Sequence, residues 1–272
     1  MPSIGDITLA VAPYVIGFLV AFIGFIVFSL SRQRKLFNFL GADKKARQAT
    51  VYLSSLFIPR GCAVGFDGLP RSYQGITIPT EELSISARLV KTLTADAFEY
   101  IPPTVRKFLH EKCAFFRPMT VSVNASPMQE SEIDFSTRSI ITAGSQGYNV
   151  VTNYCVSRNL AQLQISHNGT AIQVMKGKDK GEVIRPASNQ HDVAILERLI
   201  DHTRNDATII IGAGLGVIGT MGAIQYLIDH WQELDKTYRN REFALVLQFG
   251  PIGKRSFEDM LKGTIVRCIP EK

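Results

Sequence analysis

The stretch "TIIIGAGLGVIGTMGAIQYLIDHW", residues 208–231, decides how the chain is read. Three isoleucines, 209–211, open it and make the kind of apolar run that a strand buried on both faces shows. From Thr220 onward apolar residues recur at helical spacing, and "TMGAIQYLIDHWQELDKTY" (220–238) reads as an amphipathic helix. Between the isoleucines and the body of that helix lie glycines 212, 214, 216, 219 and 222, and Gly214, Gly216 and Gly219 spell G-x-G-x-x-G. A buried strand, a glycine turn and a helix start in succession present free backbone N–H groups and the positive end of a helix dipole. That setting suits an anion such as a phosphate.

Working outward, the same grammar recurs. "RSIITAGS" reads as a buried strand, "AGSQGYN" (143–149) as its turn, and "YNVVTNYCVSRNLA" as a helix. "ATVYLSSLF" (49–57) is a first strand ending at Ser54 and Ser55. "TEELSISARLVKTLTADAFEYI" has helical periodicity, with Thr80 as its expected cap and Glu81 and Glu82 in its first turn. "FALVLQFG" is a strand and "TIVRCIP" a last one. "HDVAILERLIDHT" reads as a helix. "LAQLQISHNGTAIQVM" holds two β-like runs around Asn168-Gly169, a strong hairpin signal. Apolar strands alternating with amphipathic helices predict a three-layer, Rossmann-like, mostly parallel α/β sheet carrying an inserted β-hairpin.

In such a sheet ligands bind beyond the carboxyl ends of the strands. The predicted ligand-binding residues are therefore Ser54 and Ser55 after the first strand, Gly144, Ser145 and Asn149 in one glycine turn, and Gly214, Gly216, Gly219 and Thr220 in the other. Several specific chemistries fail on these residues. A nicotinamide site needs an acid at the end of the following strand to hold the ribose, and strand 243–249 ends in Gln248 and Phe249. No tyrosine is followed four residues later by lysine, which excludes the short-chain dehydrogenase pattern. "AGSQG" places Ser145 where a nucleophile elbow belongs, but His202 and His230 fall in helical patterns and no oxyanion loop precedes it. Glu81 and Glu82 are the candidate catalytic carboxylates. Arg60, Arg71 and Tyr73, in a long Gly/Pro-rich segment, are candidates to close over an anion. The four cysteines are scattered and no Cys/His cluster has metal-binding spacing, so no metal is expected and no cofactor is certain.

The net charge of +6 is unevenly placed. Arg32, Arg34, Lys35, Lys44, Lys45 and Arg47 crowd one short segment, and beyond it the chain is nearly balanced, which speaks against nucleic acid. Residues 9–30, "LAVAPYVIGFLVAFIGFIVFSL", carry no charge and make about 33 Å of helix, enough for a bilayer core of roughly 30 Å. The basic collar follows this run instead of preceding it. The positive-inside rule then puts the N-terminus outside and the rest of the chain in the cytoplasm. The expected division is a short non-cytoplasmic N-terminus (1–8), a transmembrane helix (9–30), a basic juxtamembrane linker (31–48) and a cytoplasmic α/β ligand-binding domain (49–272). The collar either sets topology only or also contacts anionic headgroups. Gly17, Ala21 and Gly24 share one helix face and predict self-association there.

On "VYLSS", "GSQGYN" and "GAGLGVIGTMGA", the chain resembles the Rossmann-like nucleotide-sensing or nucleotide-processing domains of bacterial conflict systems, the deoxyribosyltransferase-like, SLOG and TIR-like groups, some of them tethered to a membrane helix. The resemblance implies a nucleotide-like ligand and a signalling role in defence. Deoxyribosyltransferase-like members usually carry a catalytic glutamate in the helix after the turn. Here Asn149 leads into Val150, Val151, Thr152 and Asn153, so the resemblance implies binding more than base–sugar cleavage. The expectation is a single-pass membrane sensor or effector that binds a nucleotide or nucleotide-derived signal. A nucleotide or NAD hydrolase on the same site, and a non-enzymatic membrane adaptor, are the alternatives.

Overall fold

The computed structural model describes residues 4–42, 46–58, 63–64, 70–71, 75–95, 101–112, 117–166, 168–251 and 256–269. Helix α1 (Ile4–Leu40) opens the chain. Then come β1 (Gln48–Leu53), the short strands β2 (Leu56–Ile58), β3 (Ala63–Val64), β4 (Pro70–Arg71) and β5 (Gly75–Thr77), and helices α2 (Thr80–Leu93) and α3 (Pro103–Lys112). Next are β6 (Thr120–Ala125), β7 (Ser139–Ala143), α4 (Val150–Ser157), β8 (Leu163–Ile165), β9 (Ile172–Val174) and β10 (Val183–Ile184). The chain closes with β11 (Asp192–Asp201), β12 (Ala207–Gly214), α5 (Val217–Tyr238), β13 (Phe243–Phe249), α6 (Phe257–Met260) and β14 (Thr264–Ile269).

Seven strands form one mixed, mostly parallel sheet in the order β14-β13-β11-β12-β7-β1-β6. Strands β6, β1, β7, β12 and β13 point the same way, while β11 and β14 run against them. Neighbouring residues along a strand enter different cores, as Ile140 and Ile141 do. One core holds the end of α1 with residues of α2 and α5; the other holds residues of α4, β8 and β9. Strands β8, β9 and β10 pair antiparallel in a sheet of their own.

The segment 191–203, expected as a helix, is strand β11 and the turn after it. Its apolar run "VAILERLI" satisfies helical spacing, but it satisfies equally a strand covered on both faces, and periodicity alone does not separate the two. The connection to β12 carries the signal that decides it. Asn205 and Asp206 both have positive φ, 60° and 54°, the backbone that tight connections between antiparallel strands use. The two charged residues at the centre of β11 are both buried and leave the sheet on opposite faces. Glu197 accepts the backbone N–H groups of Gln162 (2.6 Å) and Leu163 (3.4 Å). Arg198 donates to the carbonyls of Phe39 and Arg241, both at 2.8 Å.

Helix α1 is 37 residues long, about 55 Å. From Pro13 to Leu40 it is long and apolar enough to cross a membrane. In the juxtamembrane segment residues 31–40 continue the helix, and its last turns enter the core. Phe39 is fully buried, with its ring 6.4 Å from those of Trp231 and Phe243. Together with the Arg198 bond to its carbonyl, this ties α1 to the centre of the sheet with no flexible joint between.

Candidate functional site

Because β7 lies between β1 and β12 and all three are parallel, their carboxyl ends are neighbours on one edge. The structure thus brings Ser54, Ser55, Gly144, Ser145 and Asn149 together, with the α5 turn beside them. From β1 the chain moves outward to β6, and from β7 it moves the other way to β12, so the order reverses between β1 and β7. Such a switch point is where open α/β sheets carry ligands.

Asn149 is the hub of the first turn and is buried. Its Oδ1 accepts the N–H groups of Val151 (3.0 Å) and Thr152 (3.3 Å), capping α4, and its Nδ2 donates to the carbonyls of Tyr52 (3.2 Å) and Ala143 (3.0 Å). Val150 N–H donates to Ser126 Oγ at 2.7 Å. Ser54 Oγ donates to the Ala143 carbonyl (3.2 Å), and Ser55 N–H to that of Tyr148 (2.9 Å). Asn149 is therefore a structural cap, and what stays open at this turn is the rim from Ser145 to Tyr148.

The second turn is closed by a residue from elsewhere. Strand β11 runs against β12, so its first residue lies at the carboxyl end of β12. There the Asp192 carboxylate accepts the N–H groups of Gly216 (3.2 Å) and Gly219 (2.7 Å), occupying the N-terminus of α5. A Cβ on Gly219 would stand 2.9 Å from that carboxyl group. Burial pushes the Asp192 pKa up, partly offset by the N–H groups it accepts. Thr220 Oγ1 accepts from Gly214 N–H (3.0 Å) and lies 3.2 Å from the Gly216 carbonyl, to which it donates. The G-x-G-x-x-G turn does hold an anion, and the anion is the protein's own.

The two candidate carboxylates part company. Glu82 is buried and accepts Ser54 N–H at 2.9 Å; burial raises its pKa against the Ser54 hydrogen bonds that lower it. Glu81 is exposed and accepts from Thr80 Oγ1 at 3.1 Å. Thr80 does not cap α2, since Pro79 holds the cap position without a side-chain bond. His202 pairs with Asp206 at the edge opposite Ser145, and His230 with Glu233 on α5, so neither histidine reaches Ser145. Arg60 and Tyr73 lie outside the described residues, and Arg71 is in β4. Among the described residues no group of His, Cys, Asp and Glu could hold a metal ion. Asp192 closes the α5 turn and does not serve Ser145 as a triad acid, and Tyr52 and Ser126 act across the fold where no local pattern marks them. Comparison with known proteins gives no match: no family model, no curated protein and no solved structure is similar to this chain.

Proposed function

We propose that the chain is a single-pass membrane sensor or effector, N-terminus out, with a cytoplasmic head of the Rossmann-like, three-layer type carrying an inserted hairpin. The head binds a nucleotide or nucleotide-derived anion at the β1/β7 switch point. The reversal of strand order there, beside the open rim of Ser145 to Tyr148, carries this reading. Ser55 and the Gly144 turn line the same edge, and Glu82 faces it from α2 through Ser54. The α5 turn is a second subsite only if Asp192 moves aside. Gly17, Ala21 and Gly24 are exposed on α1 and supply the face for self-association.

Thermal unfolding of the full chain in detergent with NAD, ATP or cyclic nucleotides tests the proposal. A saturating ligand raises the midpoint by about 5 °C or more, and Tyr148→Ala with Ser145→Trp removes the shift. No shift with any nucleotide overturns it in favour of the membrane adaptor, the second reading, which the Asp192 carboxylate in the α5 turn favours. Nucleotide breakdown that disappears in Glu82→Gln would instead make the site a hydrolase.

A further inference from the structure

A second region stands out far from the sheet edge. Where α1 leaves its apolar span it runs alongside the C-terminal half of α5, and the two helices enclose a groove of about 710 Å³. Phe28 forms one rim and Trp231 the floor. Arg32 and Lys35 line it from α1, Lys236 and Arg239 from the end of α5. Arg32 and Lys35 are three residues apart on one face of α1, and Arg239 follows the last residue of α5 at its C-cap, close to Lys236. Among the described residues no hydrogen bond or ion pair ties these four side chains to the protein. The single acid in the groove, Asp235, is pushed up by burial and feels the opposing fields of Lys35, Arg198 and Arg239. The negative end of α5 is covered, since Arg239 N–H bonds the Asp235 carbonyl and the Arg241 guanidinium donates to Thr237 and Tyr238. Four cations against one acid leave an electropositive groove.

The depth of the groove fits a membrane surface. Along a helix Arg32 lies about 6 Å beyond Phe28 and Lys35 about 10 Å. With Phe28 at the edge of the hydrocarbon, Arg32 falls in the headgroup layer, which is about 5–8 Å thick on each side, and Lys35 lies just beyond it, within reach through its long side chain. The volume lies in the range of small-molecule sites. The geometry points to a binding site for the phosphodiester headgroup of an anionic phospholipid, drawn from the bilayer that α1 crosses and held between α1 and α5. The inference rests on the reading of α1 as membrane-spanning. It adds that α5, a helix of the soluble head, supplies half of the site.

The test uses the full chain reconstituted in nanodiscs of phosphatidylcholine with a minor share of phosphatidylglycerol, with retained lipid counted by native mass spectrometry. The chain is expected to retain phosphatidylglycerol above its share. Lys236→Gln and Lys35→Gln each weaken retention about fivefold, while Arg34→Gln, next to the site but outside its lining, has a markedly smaller effect. Equal loss in Arg34→Gln, or no loss in Lys236→Gln, overturns the groove in favour of diffuse attraction by the collar. Inorganic phosphate or glycerophosphate that binds the detergent-solubilised chain and displaces the lipid overturns the lipid as occupant. Alkaline extraction of Lys236→Gln separates the two readings: a chain that stays in the membrane and keeps its lipid sinks the groove alone, and a wild-type chain washed out of the membrane sinks both.

Discussion

The two glycine turns on the sheet edge look alike in sequence and are closed in different ways. Each follows a buried strand and opens a helix. In the β7–α4 turn the helix start is capped from within the turn, by Asn149, a neutral side chain that also pins β1 to β7. In the β12–α5 turn the cap position is Gly216, which has no side chain to offer. Its helix start is closed instead by Asp192, 24 and 27 positions before the N–H groups it accepts. A turn that carries its own cap is a local device. A turn rich in glycine leaves its helix dipole to be satisfied by something else, and here a carboxylate from the neighbouring strand β11 does so.

The glycines of the two turns serve different ends, and substitutions separate them. Gly144 has φ +123°, a backbone that side chains rarely adopt, and a Cβ there would overlap Ser54 Oγ. Gly144→Ala is expected to give the largest loss, about 3 kcal/mol or more, read as the fall in thermal midpoint of the full chain in detergent. Asn149→Ala uncaps the α4 start and removes a donor from the Tyr52 and Ala143 carbonyls, and is expected to cost about 2 kcal/mol on the same scale.

The α5 turn is expected to give smaller, coupled effects. Asp192→Ala strands two backbone donors and costs about 1–2 kcal/mol. Gly219→Ala costs about 1 kcal/mol in the wild type, because its Cβ meets the carboxylate. In the Asp192→Ala background that clash is gone, and the same substitution becomes neutral or stabilising through helix propensity. A double-mutant cycle showing strict additivity would break the claim that these glycines make room for Asp192.

Two carboxylates extend the comparison to pH. Asp192 and Glu197 both accept pairs of backbone N–H groups, and burial raises both pKa values, that of Glu197 from 4.5 to about 8. A raised folded-state pKa means the native state holds the proton longer than the unfolded chain. The stabilisation is therefore fully present below the unfolded value and is lost as pH rises through the folded one. The thermal midpoint should fall between pH 4.5 and about 8, and Glu197→Gln should flatten that fall while changing stability little at pH 5. Asp192→Asn should remove the part of the fall that Asp192 contributes as pH rises from its unfolded value through its raised folded one. Asn149→Asp, which adds a titrating group where none exists, should introduce a new pH dependence. Identical profiles for wild type and Glu197→Gln would show that Glu197 does not carry it.

Much of the frame was legible along the chain. The apolar helix, the strands at 48–53, 139–143, 207–214 and 243–249, and the three strand ends that meet on one edge follow from local runs and turn residues. One segment was assigned the wrong type, and one cap, Thr80, the wrong role. "VAILERLI" has no preference of its own between a helix and a doubly covered strand, and its place between β12 and β13 decided the matter. That placement also put Asp192 under α5 and so changed the meaning of the G-x-G-x-x-G turn. Likewise the basic collar is visible in composition, but its pairing with Lys236 and Arg239 exists only because α1 is bolted to the sheet through Phe39 and Arg198. Sequence by itself determined the apolar span, the strand–turn–helix units and the positions of the charges, since these are properties of neighbours along the chain. Tertiary structure decided which group closes the α5 start and which cations share a groove. Those partners lie tens to hundreds of residues apart, and only packing brings them within hydrogen-bond or charge reach.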